Sequence, residues 1–99
     1  MLKKRFFKTK DTCKVTFELP KGIAAESAAL AGDFNGWDAS ATPMKKVKGV
    51  WKVTLELDTG KEYQYRYLVN GSEWHNDWDA DKYVPNNVDG DNSVVVTAR

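Results

Sequence analysis

Cysteine is nearly absent from this chain. Cys13 stands alone among 99 residues, so no internal disulfide can form and a disulfide-stapled secreted scaffold is excluded. Histidine is equally scarce: His75 is the single one, no second cysteine can join Cys13, and a glycosidase-like pair of carboxylates would need a cleft that a sandwich this small seldom provides, so catalysis is not expected. No apolar run reaches the length of a membrane span. The basic start from Met1 to Lys10 is not followed by the apolar stretch of a signal peptide, so the expected setting is soluble, reduced and cytoplasmic. An excess of one charge is missing too. Lys+Arg at 15 against Asp+Glu at 14 leave +1, which gives no field to draw nucleic acid or a membrane surface. The 7 glycines are scattered singly, so no phosphate-cradling loop is present and no cofactor is expected. Ninety-nine residues are read as one domain spanning 1–99, with a single core and little room for an enclosed active site.

What the chain does have is alternation. Val15, Phe17 and Leu19 alternate with Lys14, Thr16 and Glu18 until Pro20-Lys21-Gly22 breaks the run. Trp51, Val53, Leu55 and Leu57 alternate with Lys52, Thr54, Glu56 and Asp58, entered through a Lys48-Gly49 turn and closed by Thr59-Gly60. Tyr63, Tyr65, Tyr67 and Val69 alternate with Gln64, Arg66, Leu68 and Asn70, ending at Asn70-Gly71, the strongest hairpin signal present. Ala28 to Ala31 with Phe34 read as a buried strand end, and Val94 and Val96 as a final strand. Ile23 to Ala31 has a helix-friendly composition but at most a turn of helix is expected there. The stretch from Asp77 to Asn92 is the one long loop candidate. Met1 to Lys10 is either an ordered edge strand or a loose tail, with Phe6 and Phe7 favouring some packing. The pattern is that of an all-β antiparallel sandwich.

The richest segment for function is Gly32 to Asp38, G-D-F-N-G-W-D, where Asn35-Gly36 places Trp37 at a turn. An indole on a turn marks a binding surface or folds back as a lid on the core. Trp74 follows Asn70-Gly71 as Trp37 follows Asn35-Gly36, giving two tryptophans near hairpin tips. Indole faces pack against the C–H faces of pyranose rings, each stacked ring being worth on the order of 1–3 kcal/mol before ordering costs. Trp51 lies in strand phase and reads as core, and Trp78 sits in a loop between acids. Arg66, in the outward phase of the tyrosine strand, either offers a planar set of donors to hydroxyls or pairs with Glu62 or Glu56. Asn92 either binds adjacent hydroxyls through its amide or serves as an ordinary turn residue. Asp77, Asp79 and Asp81 have the spacing of an opening calcium loop, yet Lys82 stands where that loop needs glycine and Val88 where it needs glutamate. Basic residues crowd the start (Lys3, Lys4, Arg5, Lys8, Lys10, Lys14) and acids the last third (Glu73, Asp77, Asp79, Asp81, Asp89, Asp91), as solvated faces or as docking surfaces.

The ordered set G-D-F-N-G-W-D, then Y-Q-Y-R-Y-L-V-N-G with a following Trp-His-Asn-Asp, then D-N-S-V-V-V, resembles a family 48 carbohydrate-binding module, also called an isoamylase N-terminal or early-set domain. Such modules precede the catalytic barrels of glycogen branching and debranching enzymes, and a similar domain occurs in the β subunit of AMP-activated protein kinase. The resemblance runs from about Val15 to Val96. It implies an immunoglobulin-like β-sandwich of about seven to eight strands that binds α-1,4-glucans such as glycogen, starch or maltooligosaccharides. Carried across, it makes Trp37 and Trp74 the stacking residues and Arg66 and Asn92 the hydroxyl-binding ones, with Val88 as an apolar loop residue able to enter the ring of a cyclic glucan. A chain of this length has no room for the catalytic barrel, so a stand-alone, non-enzymatic α-glucan-binding domain is expected. The alternative is a protein-interaction or regulatory subunit that docks onto a separate glycogen- or starch-metabolising enzyme through Trp37, Trp78 and the acidic loop. A third reading is a calcium-stabilised sandwich at Asp77, Asp79 and Asp81.

Overall fold

A computed structural model describes residues 2–23, 26–86 and 90–98. Two antiparallel sheets face one another. The first runs in the order β1-β2-β5-β4, from Leu2–Phe6, Thr12–Glu18, Val50–Asp58 and Lys45–Val47. The second runs β3-β6-β9-β8, from Ala28–Gly32, Glu62–Val69, Gly90–Val96 and Lys82–Asn86. A short β7, Glu73–His75, also pairs with β6. The fold is the expected all-β sandwich, with nine strands among the described residues.

The extra strands are those whose pattern is weakest. β1 turns the basic start into an edge strand, with Lys4 opposite Val15 and Phe6 opposite Cys13. The Asp77–Asn92 stretch, expected as a loop, contains β8 and the start of β9. Pro85 disguises β8 in the sequence but is tolerated because β8 is an edge strand. Asn92, expected before the final strand, lies inside it, because pairing with β8 sets Val84 opposite Asn92 and extends β9 back to Gly90. Between Ile23 and Ala31 no helix forms among the described residues. Ala28, Ala29 and Ala31 belong to β3, and the one helical turn among the described residues, a 3-10 turn over Asp33–Asn35, comes just after it.

Both expected hairpin turns form with left-handed backbone. Lys48 (φ 52) and Gly49 (φ 80) join β4 to β5, the mirror-image turn that matches strand twist. Asn70 (φ 53) and Gly71 (φ 74), followed by Ser72, join β6 to β7.

Alternation sends Val15, Phe17, Leu30, Leu57, Tyr65, Tyr67, Val69 and Val95 into one buried cluster. Into this apolar layer the chain inserts a carboxylate. Asp77 is only 3% exposed, and its Oδ2 accepts from Tyr65 Oη at 2.7 Å and Tyr67 Oη at 2.8 Å. Its Oδ1 accepts from the Asp79 amide, its own amide donates to Ser93 Oγ, and its carbonyl accepts from Tyr83 Oη. Burial above all, and the adjacent Asp77 charge, hold the Tyr65 and Tyr67 phenols protonated far above the ordinary tyrosine range, the neighbouring phenol adding to the rise at Tyr65.

Two expectations follow from this interior. Unfolded tyrosines ionise near pH ~10 while Tyr65 and Tyr67 stay neutral when folded, so above that pH the unfolded state binds fewer protons. The contribution of the pair is therefore intact below about pH 10 and lost above it, at about 2.7 kcal/mol per pH unit for two groups. Urea melts followed by circular dichroism from pH 8 to 11.5 should show a flat midpoint and then a steep fall; a midpoint indifferent to pH up to 11.5 would contradict the buried pair. The second concerns Gly32, where an added Cβ would meet the Gln64 carbonyl oxygen at 2.5 Å and Tyr65 Cβ at 2.9 Å. Gly32→Ala should cost about 1–3 kcal/mol by overcrowding, seen as a lowered Tm, and an unchanged Tm would show that β3 can retreat from β6.

Candidate functional site

The face of the second sheet turned away from the core is set by the register of β6. Tyr65, Tyr67 and Val69 point inward, so Gln64, Arg66 and Leu68 point outward. Directly paired residues share a face, which adds Ala31 opposite Arg66, Ala29 opposite Leu68, Trp74 opposite Leu68 and Val94 opposite Gln64. Asn92, two residues from Val94, lies on the same side and bonds to Gln64.

β3 pairs with one edge of β6, while the other edge is shared by β9 (along 62–65) and β7 (along 67–69). Arg66 sits at the junction of these two partners. Its Nη2 donates to the Asp91 carbonyl at 2.6 Å, and Asn76 Nδ2 donates to the same oxygen at 2.8 Å. Neither acid expected as an alternative partner is near it by pairing: Glu62 binds Lys82 and Glu56 binds Lys10. The guanidinium is thus anchored at one nitrogen to backbone, with its fixed fork of donors held on the outer face.

Trp74 is 48% exposed, on the short β7 that the Asn70-Gly71 turn brings back against β6. Trp37 is 37% exposed, near the other end of β6, just beyond the end of β3. Its placement follows from the local sequence. Phe34 enters the core against Phe17 and Tyr63. Asn35 staples the turn, accepting from the Gly32 amide and donating to the Leu30 carbonyl and Thr42 Oγ1. Gly36 and Trp37 then both adopt left-handed backbone, at φ 67 and φ 62. For a bulky residue that conformation costs roughly 1–3 kcal/mol, a cost associated with functional positions. Trp37 Nε1 donates to Asp33 Oδ1 at 3.0 Å, and Asp33 Oδ2 accepts from the Gln64 amide at 2.8 Å. One carboxylate thereby ties the indole to β6 where β3 ends. Asp38 accepts from the hydroxyl and the amide of Ser40, which lowers its pKa and closes the turn.

The five residues expected at the site separate cleanly. Arg66, Trp74 and Asn92 share the outer face, Trp37 stands at its rim, and Val88 lies outside the described residues. Asn92 is half-buried in the centre of an amide series: it donates to Gln64 Oε1 at 2.9 Å and accepts from Asn86 Nδ2 at 3.0 Å. Gln64, Asp33 and Asn76 were not foreseen. The spacing of Gln64 and Arg66, two apart in a strand, was the available signal for the first.

Other candidates fall elsewhere. Trp51 packs against the core cluster as expected. Trp78, 42% exposed, stacks on His75 and Tyr67, residues of the opposite, inward-turned side of the second sheet. Two of the three aspartates of the calcium reading have separate engagements: Asp77 binds the buried phenols, while Asp81 pairs with Lys4 at 2.6 Å and accepts from the Val96 amide. Part of the charge asymmetry along the chain is therefore spent within the fold, joining β1 to the loop before β8.

Comparison with known proteins finds partial relatives. A 1,4-alpha-glucan branching enzyme of Aquifex aeolicus (strain VF5) is 46% identical over 52 residues, covering 48% of this chain and 8% of the enzyme. One from Emericella nidulans is 40% identical over 55 residues, 54% of this chain and 8% of that protein. One from Nocardia farcinica (strain IFM 10152) is 35% identical over 51 residues, 50% of this chain and 7% of that protein. The matched part is thus less than a tenth of each relative's length. Residues 22–84, well over half of the chain, match the family described as carbohydrate-binding module 48 (isoamylase N-terminal domain), and the chain belongs to that family.

Proposed function

We propose that the outer face of the second sheet binds α-1,4-glucans without catalysis. The observation that carries this reading is that two exposed indoles stand near the two ends of β6, Trp74 opposite Leu68 and Trp37 tied through Asp33 to the Gln64 backbone amide, with polar side chains between them. Gln64 and Leu68, which mark the two ends along β6, are four residues apart, roughly 13 Å of strand. A ligand spanning them needs flat apolar surfaces for the rings and hydroxyls for the middle, the chemistry of a short glucan chain. Arg66 and Asn92 supply the hydroxyl-binding groups. The branching-enzyme relatives act on α-glucans by name, which supports this sugar over a β-linked one.

Two stacked rings and a few exposed hydrogen bonds, less the cost of ordering a flexible chain, correspond to a Kd of roughly 10 μM to 1 mM. Retention on a branched particle then rests on multivalency, since many chain ends raise the effective concentration. A cytoplasmic glycogen or maltooligosaccharide is the ligand we assign.

Titration of intrinsic fluorescence with maltoheptaose and β-cyclodextrin, with cellohexaose as the control for linkage, tests the reading. Saturation by the α-linked sugars alone is expected. Trp37→Ala and Trp74→Ala should each weaken binding about five- to 150-fold, the loss of ~1–3 kcal/mol of stacking, with the folded circular dichroism spectrum retained. Trp37→Gly should lose binding equally yet melt no lower than Trp37→Ala, because glycine accepts φ 62 without strain. No response up to millimolar sugar, together with stoichiometric capture of a glycogen-metabolising enzyme, would replace this reading with the docking-subunit one.

A further inference from the structure

The amide series on the outer face ends in an unused donor. Asn86 Nδ2 donates to Asn92 Oδ1 at 3.0 Å, Asn92 Nδ2 donates to Gln64 Oε1 at 2.9 Å, and the chain of amides runs from the β8 edge across β9 to β6. Gln64 is thereby held through its oxygen, which turns its Nε2 outward. Among the described residues nothing accepts from that nitrogen, and it is not fully buried. Its neighbours are the elements of the proposed site: the Gln64 backbone N–H donates to the Asp33 carboxylate that also accepts from Trp37 Nε1, and Arg66 stands two residues along the same strand face, about 7 Å away.

We propose that Gln64 is a further ligand-binding residue of this face, its Nε2 donating to a sugar hydroxyl beside the one bound by Arg66, with Asn92 and Asn86 positioning the amide. This rests on the glucan-binding reading above and adds a residue that neither the motifs nor the resemblance assigned. Two features make the geometry apt. The amide is orientated before the ligand arrives, so little side-chain freedom is lost on binding. The donor also lies at the Trp37 end of β6, with Arg66 between it and the Leu68 position that Trp74 faces. Gln64 and Arg66 together present donors, so the hydroxyl oxygens of the ligand act as acceptors here, and Asn92 serves both the ligand and the orientation of Gln64.

Two variants separate this from a structural role. Gln64→Glu keeps an oxygen that can accept from Asn92 and replaces the outward donor by a charged oxygen that only accepts, and Gln64→Met keeps the length and removes both polar atoms. Each should weaken maltoheptaose binding about three- to tenfold, the scale of one lost hydrogen bond, with Tm within a few degrees of the parent. In the unmodified protein the Gln64 side-chain NH2 resonances should shift on saturation with maltoheptaose. If the parent binds and Trp74→Ala abolishes binding while both Gln64 variants bind like the parent and those resonances stay still, the role of Gln64 is overturned and the glucan reading stands. Failure of the parent to bind maltoheptaose or β-cyclodextrin overturns both.

Discussion

The hydrogen bonds from Tyr65 and Tyr67 to the buried Asp77 carboxylate are the interaction on which the rest of this structure depends. Taking a carboxylate out of water costs several kcal/mol. Three donors meet it, two phenols and the Asp79 amide, each charge-assisted bond worth roughly 1.5–3 kcal/mol. The two sides come close to cancelling, so the carboxylate adds little net stability. What it adds is position. Asp77 ties the segment after β7 to β6 through its side chain and to β9 through Ser93, while Asn76 binds both Ser93 and the Asp91 carbonyl. The tip carrying Trp74 and the start of β9 carrying Asn92 are thereby held against the same strand.

That strand serves two environments at once. Its inward phase fills the core with phenols whose hydroxyls must be satisfied, and its outward phase lays Gln64, Arg66 and Leu68 along one face. β3 offers alanines opposite Arg66 and Leu68, which keeps large side chains off that part of the face. At the far end, the strained backbone of Trp37 is maintained by its surroundings. Phe34 is packed, Asn35 is bonded to Leu30, Gly32 and Thr42, and the indole is tethered to Asp33. An exposed indole on a left-handed residue is poor economy for folding and good geometry for a flat ligand.

Much of this was legible in the sequence where a simple period or a turn dipeptide carried the signal. β2, β5 and β6 announce themselves by alternation, and Lys48-Gly49 and Asn70-Gly71 by their left-handed turns. Strands whose stability is borrowed from a neighbour were not legible. β8 is short, carries Pro85 and is held by pairing with β9, and the same pairing draws Asn92 into a strand. The burial of Asp77 was hidden as well, because an acid followed by Trp78 and Asp79 reads as loop until the two phenols that bind it are placed. At the site, residue identities pointed to the outer face, but the orientation of Asn92 by Gln64 and Asn86 depends on three strands meeting and has no local signature.

The most direct test of the central claim uses the four tryptophans as reporters in a single experiment. In a two-dimensional 15N-labelled NMR titration with maltoheptaose, the indole N–H resonances of Trp37 and Trp74 should shift together along one saturable curve. Those of Trp51, packed against the core, and Trp78, stacked on His75 and Tyr67, should stay in place. Shifts confined to Trp78, or none at any tryptophan up to millimolar sugar, would contradict the assignment of glucan binding to the outer face of the second sheet.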